Sequence, residues 1–213
     1  FKQAELGTPI LVGREDLIRQ NATEAGLNFD ELGIEIVNAR VSEKNDQYTD
    51  FLYGKLQRRG YLRRDVQRMI NQDRNYFAAT MLAQGDADAV VTGTTRNFNM
   101  VLKEVRRVLD VTSRLVGLSI VLARGRTLFV ADTSILDQKG VDFEYEGEMP
   151  AELALDPEAR SAYPFMRLSK DANVLVMPGI HSASISTRLV QALGGATVIG
   201  PLLVGLEKSV QIV

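Results

Sequence analysis

Short apolar runs alternate along the chain with longer segments whose apolar residues recur every three or four positions. That alternation predicts strands interleaved with helices, an α/β chain. Pro9 to Val12 reads as a first strand closed by Gly13. An amphipathic helix follows, with Leu17, Ile18, Ala22 and Ala25 on one side and Gly26 as its stop. Ile34 to Val37 is a second strand. Two helical stretches come next. In the first, Tyr48, Phe51, Leu52 and Leu56 keep helical spacing and end near Gly60. In the second, Val66, Met69 and Ile70 lead into Tyr76, Phe77, Ala79, Met81 and Leu82, stopped by Gly85.

Ala89 to Thr92 predicts a third strand that runs directly into Gly93-Thr94-Thr95-Arg96-Asn97, before a helix carrying Val101, Leu102, Val105, Val108 and Leu109. Leu115 to Ala123 and Thr127 to Ala131 predict a hairpin turning at Arg124-Gly125-Arg126. The last third repeats the theme with a strand at Val174 to Met177 and a Ser-rich helix start. A helix through Leu189 to Leu193, Gly194-Gly195 and a strand at Thr197 to Gly200 follow. The sheet expected from this order is largely parallel with some antiparallel pairing.

Composition narrows the chemistry. The 213 residues are 45% hydrophobic and 24% charged, with a net charge of -2. That size supports a substantial core, and that balance carries no basic footprint for nucleic acid. With no cysteine and one histidine, His181, thiol catalysis, Cys-ligated zinc and multi-histidine metal sites are excluded. No apolar run approaches the ~20 residues that span a bilayer, and nothing at the start reads as a signal peptide. A cytoplasmic protein without nucleic-acid or membrane partners is expected. Phe1 to Leu6 reads as the tail of a helix, so the chain is expected to be part of a longer one.

Two strand-to-helix junctions carry candidate chemistry, because ligands of α/β sheets gather where helix N-termini present unpaired N–H groups. At Thr92-Gly93-Thr94-Thr95-Arg96, glycine permits close backbone approach, three hydroxyls can donate to oxyanions and Arg96 can grip phosphate bidentately. An ordinary turn with a hydroxyl cap and a solvated arginine satisfies the same residues. At Pro178 to Thr187, Ser182, Ser184 and Ser186 could hold a phosphate or pantetheine oxygen, or one could cap the helix while the rest face water. His181 could act as a base or simply hydrogen-bond. Asp142, Glu144, Glu146 and Glu148 alternate, which on a strand puts the glutamates on one face, either as a cation or acid/base group or as a solvated edge. Arg58-Arg59, Arg63-Arg64 and Arg106-Arg107 read as solvated surface.

Longer motifs are more specific. Arg74 to Ala79, Gly85 to Gly93, Glu146-Gly147-Glu148-Met149, Ala172 to Pro178 and Gly194 to Leu206 together resemble the phosphate acetyl/butyryltransferase family, in its order and over most of the chain. Thr92 to Arg96 and the His-Ser-Ala-Ser-Ile-Ser stretch from His181 look like the branch found as the C-terminal domain of large bacterial malic enzymes. True transferases tend to carry Gly-Ala-Ala-His-Ser at the first loop.

The resemblance implies a phosphotransacetylase-like (isocitrate dehydrogenase-like) fold of two α/β subdomains. Residues 1–131 are expected in the first and 132–206 in the second, with 207–213 returning toward the first. It also implies a regulatory and oligomerisation role without catalytic or metal-binding residues in this chain. Acetyl-CoA is the implied effector, held by Thr92, Gly93, Thr94, Thr95, Arg96, Lys103, Ser182, Ser184, Ser186 and Lys208 in one cleft. The implied partners are a second copy through this domain, a higher homo-oligomer such as a hexamer, and an N-terminal malic enzyme catalytic domain that uses NAD(P) and Mg or Mn. An active phosphate acetyltransferase and a purely structural dimerisation module are the alternatives. Lys103 stands where the transferases carry arginine, keeping the charge but losing bidentate geometry. An active transferase is further expected to carry a Ser-Arg pair immediately beyond Val213. Finally, the family normally continues through helices and a strand where only Ser134 to Asp142 stand, so several tens of further residues are expected there.

Overall fold

The computed structural model describes residues 1–29, 33–93, 95–131 and 142–212. The expectation of additional chain around Ser134 to Asp142 falls, except for Asp142, outside the described residues. The chain divides into two units, Phe1–Val111 with Leu206–Val213, and Thr112–Gly205.

In the first unit, β1 (Ile10–Val12) pairs in parallel with β2 (Glu35–Val37), Leu11 opposite Ile36. Helix α1 (Glu15–Glu24) lies between them in sequence. Helix α2 (Asn45–Leu56) continues into a 3-10 turn that ends at Gly60 with φ 86°. The second expected helical stretch is two helices, α3 (Arg63–Gln72) and α4 (Arg74–Ala83). The break is at Asp73, whose extended backbone (φ -121°, ψ 116°) starts α4 while its side chain accepts from the Asn75 amide. Strand β3 (Ala89–Thr92) and helix α5 (Phe98–Val108) follow, and the returning strand β8 (Ser209–Ile212) pairs in parallel with β3. The core gathers Tyr48, Leu52 and Leu56 of α2, Val66 and Ile70 of α3, and Tyr76 and Phe77 of α4. The Tyr48 and Phe77 rings meet edge-on at 5.1 Å, a favoured aromatic geometry.

Tyr48 also ties this core to the turn after α4. Its hydroxyl donates to Asp86 Oδ2 at 2.7 Å, and Lys44 donates to Asp86 Oδ1. Burial, then Asp86, pushes the Tyr48 phenol above its ordinary pKa. The Lys44 hydrogen bond, then that of Tyr48, holds the Asp86 carboxyl below its own. A depressed carboxyl stabilises the fold above its unfolded pKa of about 4 and ceases to do so as pH falls through its folded value. Urea denaturation of Asp86→Asn against wild type is therefore expected to show a stability deficit near pH 7 that closes under acid. A deficit of constant size down to pH 2 would contradict this role.

In the second unit, β4 (Val111–Ala123) and β5 (Arg126–Ala131) form the expected hairpin, turning through Arg124 (φ 50°) and Gly125 (φ 73°). Strand β6 (Val174–Val176) pairs in parallel with β5, and β7 (Thr197–Leu206) flanks β4, giving the order β6-β5-β4-β7. The hairpin, expected to close the first subdomain, thus belongs to the second, because its strand partners are there. Helices α6 (Ala151–Leu155) and α7 (Pro157–Ser161) precede β6, and α8 (Ile180–Gly194) connects β6 to β7. Val121, Val130, Ala183 and Ala196 form a small core.

Strand β7 passes through Pro201 instead of ending at Gly200. Gly200 has φ +127°, and a Cβ there would stand 2.9 Å from the Leu118 carbonyl oxygen. Gly200→Ala combines a conformation that L-residues avoid with a backbone clash, at a cost of about 2 kcal/mol. The drop in thermal midpoint measures it, and an unchanged midpoint would show that β4 yields freely.

Candidate functional site

The first junction is built by β3, α4 and α5 of the first unit. Strand β3 ends at Thr92, and Gly93 (φ 116°) takes a left-handed conformation that favours glycine. Asn97 starts α5 by accepting from the Asn99 amide at 2.9 Å. Thr94 lies outside the described residues.

Arg96 does not stand as a solvated arginine. Its Nη1 donates to Asp73 Oδ2 at 2.5 Å and to Glu104 Oε1 at 2.9 Å. Side-chain exposures are 35% for Arg96, 18% for Asp73 and 12% for Glu104, so the two carboxylates are shielded while the guanidinium stays partly open to water, and the bonds are charge-assisted. The Asp73 hydrogen bond is the largest influence holding the Arg96 proton more tightly than usual. The second oxygens are also used. Asp73 Oδ1 accepts from the Asn75 amide at 2.8 Å, and Glu104 Oε2 from Asn75 Nδ2 at 2.6 Å. Asn75 Oδ1 in turn accepts from the Thr92 hydroxyl at 2.6 Å. The Thr92 proton is therefore spent inside the protein rather than pointed at an oxyanion. Arg74 Nη2 donates to Thr95 Oγ1 at 3.4 Å.

Lys103 and Lys208 belong to the same unit as this junction. Lys103 is exposed on α5, immediately before Glu104. Lys208 precedes β8, whose Ser209 pairs with Ala89 and whose Ile212 pairs with Thr92. In a parallel pair this puts Lys208 at the amino end of the strands, at least about 10 Å along them from Thr92. Lys208 and the Thr92 end of β3 thus lie at opposite ends of the β3–β8 pair. Ser182, Ser184 and Ser186 belong to the second unit, inside α8. Gly179 is the N-cap, without a side-chain cap bond, so no serine caps the helix. At helical pitch Ser182 and Ser186 share a face and Ser184 points elsewhere. His181 is exposed in the first turn.

The glutamates are not on a strand, because residues 142–149 form no regular element. Glu144 Oε2 accepts from the Ser169 amide at 2.9 Å and hydroxyl at 2.8 Å, and Glu146 Oε2 from the Arg167 amide at 2.9 Å. These backbone bonds are the largest influences lowering both pKa values. The two side chains staple one loop to another within the second unit. Among the described residues no group of three or more His, Asp or Glu is arranged to hold a metal ion, and no helix is long and apolar enough to cross a membrane. Arg107, expected in solvent, donates to the Tyr76 hydroxyl and lies over the Tyr61 ring.

Residues 1–138 and 133–213 match the phosphate acetyl/butaryl transferase family. The chain belongs to this family. Membership agrees with the fold: a phosphotransacetylase from Streptococcus pyogenes superposes over 96% of this chain and 79% of its own, with a TM-score of 0.78 at 20% identity. An NADP-dependent malic enzyme of Rhizobium meliloti is 47% identical, covering 100% of this chain and 35% of the relative. A probable NADP-dependent malic enzyme of Rickettsia prowazekii is 32% identical over 100% of this chain and 36% of its own length. The chain thus spans about a third of the length of the curated relatives it matches and matches their phosphotransacetylase-like domain. The R. meliloti alignment runs over 268 residues against 213 here. The two family matches overlap at 133–138, beside Ser134 to Asp142, where the resemblance led to the expectation of further residues.

Aspartate 73, Asn75 and Glu104 are the residues that sequence reasoning passed over. Asp73 had a readable local signal, a cap-type residue at a break in helical stretches. Glu104 had none, since its role depends on the approach of α4 and α5.

Proposed function

We propose that this domain is the C-terminal regulatory and oligomerisation part of an NADP-dependent malic enzyme, with acetyl-CoA as its effector. The observation that carries the reading is the 47% identity along all of this chain to a malic enzyme of which the match covers only 35%. In this reading the parent protein oxidatively decarboxylates malate to pyruvate with NAD(P) and Mg or Mn, held by an N-terminal catalytic domain. This domain forms a homodimer within a higher oligomer such as a hexamer in the cytoplasm. Gly93, Thr94, Thr95 and Arg96 are the residues proposed to meet the effector, since backbone N–H groups before α5 suit oxygen acceptors such as those of its acyl and pantetheine groups.

Calorimetric titration of the full-length protein with acetyl-CoA, alongside its malate-dependent NADP reduction, tests the reading. Saturable heat and a change in rate are expected, with a coupling between the two sites of ~1–3 kcal/mol. Silence in both at millimolar acetyl-CoA would remove the regulatory role and leave a structural dimerisation module. Formation of acetyl phosphate from acetyl-CoA and phosphate would instead establish a transferase.

A further inference from the structure

We propose that Asp73 and Glu104 are selectivity residues that turn free phosphate away from the β3–α5 junction. The claim rests on the reading above only in treating this loop as a place where a ligand is received. A phosphate site made by a loop and an arginine needs net positive charge at the arginine. Here one guanidinium faces two carboxylates at 2.5 Å and 2.9 Å, so the triad sums to -1. Arg74, which reaches Thr95 at 3.4 Å, offsets that charge from the loop side, while Arg107, which also feels Glu104, is engaged by the Tyr76 hydroxyl.

Distance does not rescue the attraction. Both carboxylates bind the same nitrogen, Nη1, leaving Nε and Nη2 without a hydrogen-bond partner among the described residues. An oxyanion on that free edge would sit about 4 Å from the guanidinium charge and about 7 Å from the two carboxylates. Because Coulomb energy falls as the inverse of distance, one attraction and two repulsions then nearly cancel. The Thr92 hydroxyl, its proton engaged by Asn75, adds no donor. The junction can still take a ligand that brings other contacts, such as a thioester and its pantetheine arm, but a bare dianion gains almost nothing. A sensor of this kind would not respond to inorganic phosphate.

The test uses the full-length protein and inorganic phosphate as probe. Asparagine is as good an N-cap as aspartate, so Asp73→Asn removes the charge and keeps the start of α4. Glu104→Gln removes the other charge without touching that cap. Each variant is expected to bind phosphate about tenfold more tightly than wild type by calorimetry, and adding Arg96→Ala to either should erase the gain. Equal phosphate affinity in wild type and both variants would overturn the proposal, as would a gain that survives Arg96→Ala. Acetyl-CoA is titrated in parallel. Binding that ignores every one of these substitutions would place the effector elsewhere, while the phosphate comparison still decides the selectivity.

Discussion

Replacing Phe77 by alanine is expected to cost about 4 kcal/mol and to unfold the first unit at markedly lower denaturant. Phe77 is 1% exposed in the middle of α4, packed among residues of α2, α3 and α4. Truncation removes the whole ring from the core and leaves a cavity that three helices cannot close without shifting, the situation in which Phe→Ala changes cost ~3–5 kcal/mol. It also removes the edge contact with Tyr48. Phe77→Leu, which retains most of the volume, should recover more than half of the loss. A urea midpoint within error of wild type for the alanine variant would mean that the described core is not the stabilising one.

Charge reversal at Arg96 is the second large effect. Arg96→Glu brings a third carboxylate against Asp73 and Glu104, where exposures of 18% and 12% leave limited room for water to screen the repulsion. Breaking a shielded ion pair strands a charge and costs more than the pair contributed. Losing one partner of a fully buried pair costs ~3–5 kcal/mol, and the 35% exposure of Arg96 itself argues for discounting that, so about 2–3 kcal/mol is expected. Arg96→Gln, uncharged and able to donate to one carboxylate, should cost less. Thermal unfolding of the two variants measures the difference, and equal midpoints for glutamate and glutamine would show that the clasp is not electrostatic.

What could be read from the sequence follows from how local each signal was. Strand β3 lies at Ala89–Thr92 as its β-branched run predicts, and the hairpin at Arg124-Gly125 was announced by its turn residues. The α3–α4 break was hidden because Val66, Ile70 and Phe77 keep nearly one helical phase across Asp73, so periodicity alone ran through it. Strand β7, expected to stop at Gly200, runs on to Leu206 because its neighbour β4 continues beside it. The serines of α8 alternate as they would on a strand, but a helix scatters that period over opposite faces. Separating Lys208 from Thr92 required the register of two strands more than a hundred residues apart, which no short pattern encodes. The carboxylate clasp is the same kind of fact. Each of its residues looks like ordinary surface until α4, α5 and the loop come together.

The return of β8 to β3 has a consequence for how the protein can be made and cut. Val210 and Ile212 are 1% and 4% exposed, and β8 is the strand beside β3 among the described residues. During synthesis the first unit leaves the ribosome with that place in its sheet vacant, and it waits for the whole second unit before the strand that fills it appears. An expression fragment ending near Val111 would keep that vacancy for good, with a strand edge open to neighbouring chains. The cut that respects the sheet removes 112–205 and rejoins Val111 to Leu206, two residues already adjacent to the Asp110–Glu207 backbone hydrogen bond of 3.0 Å.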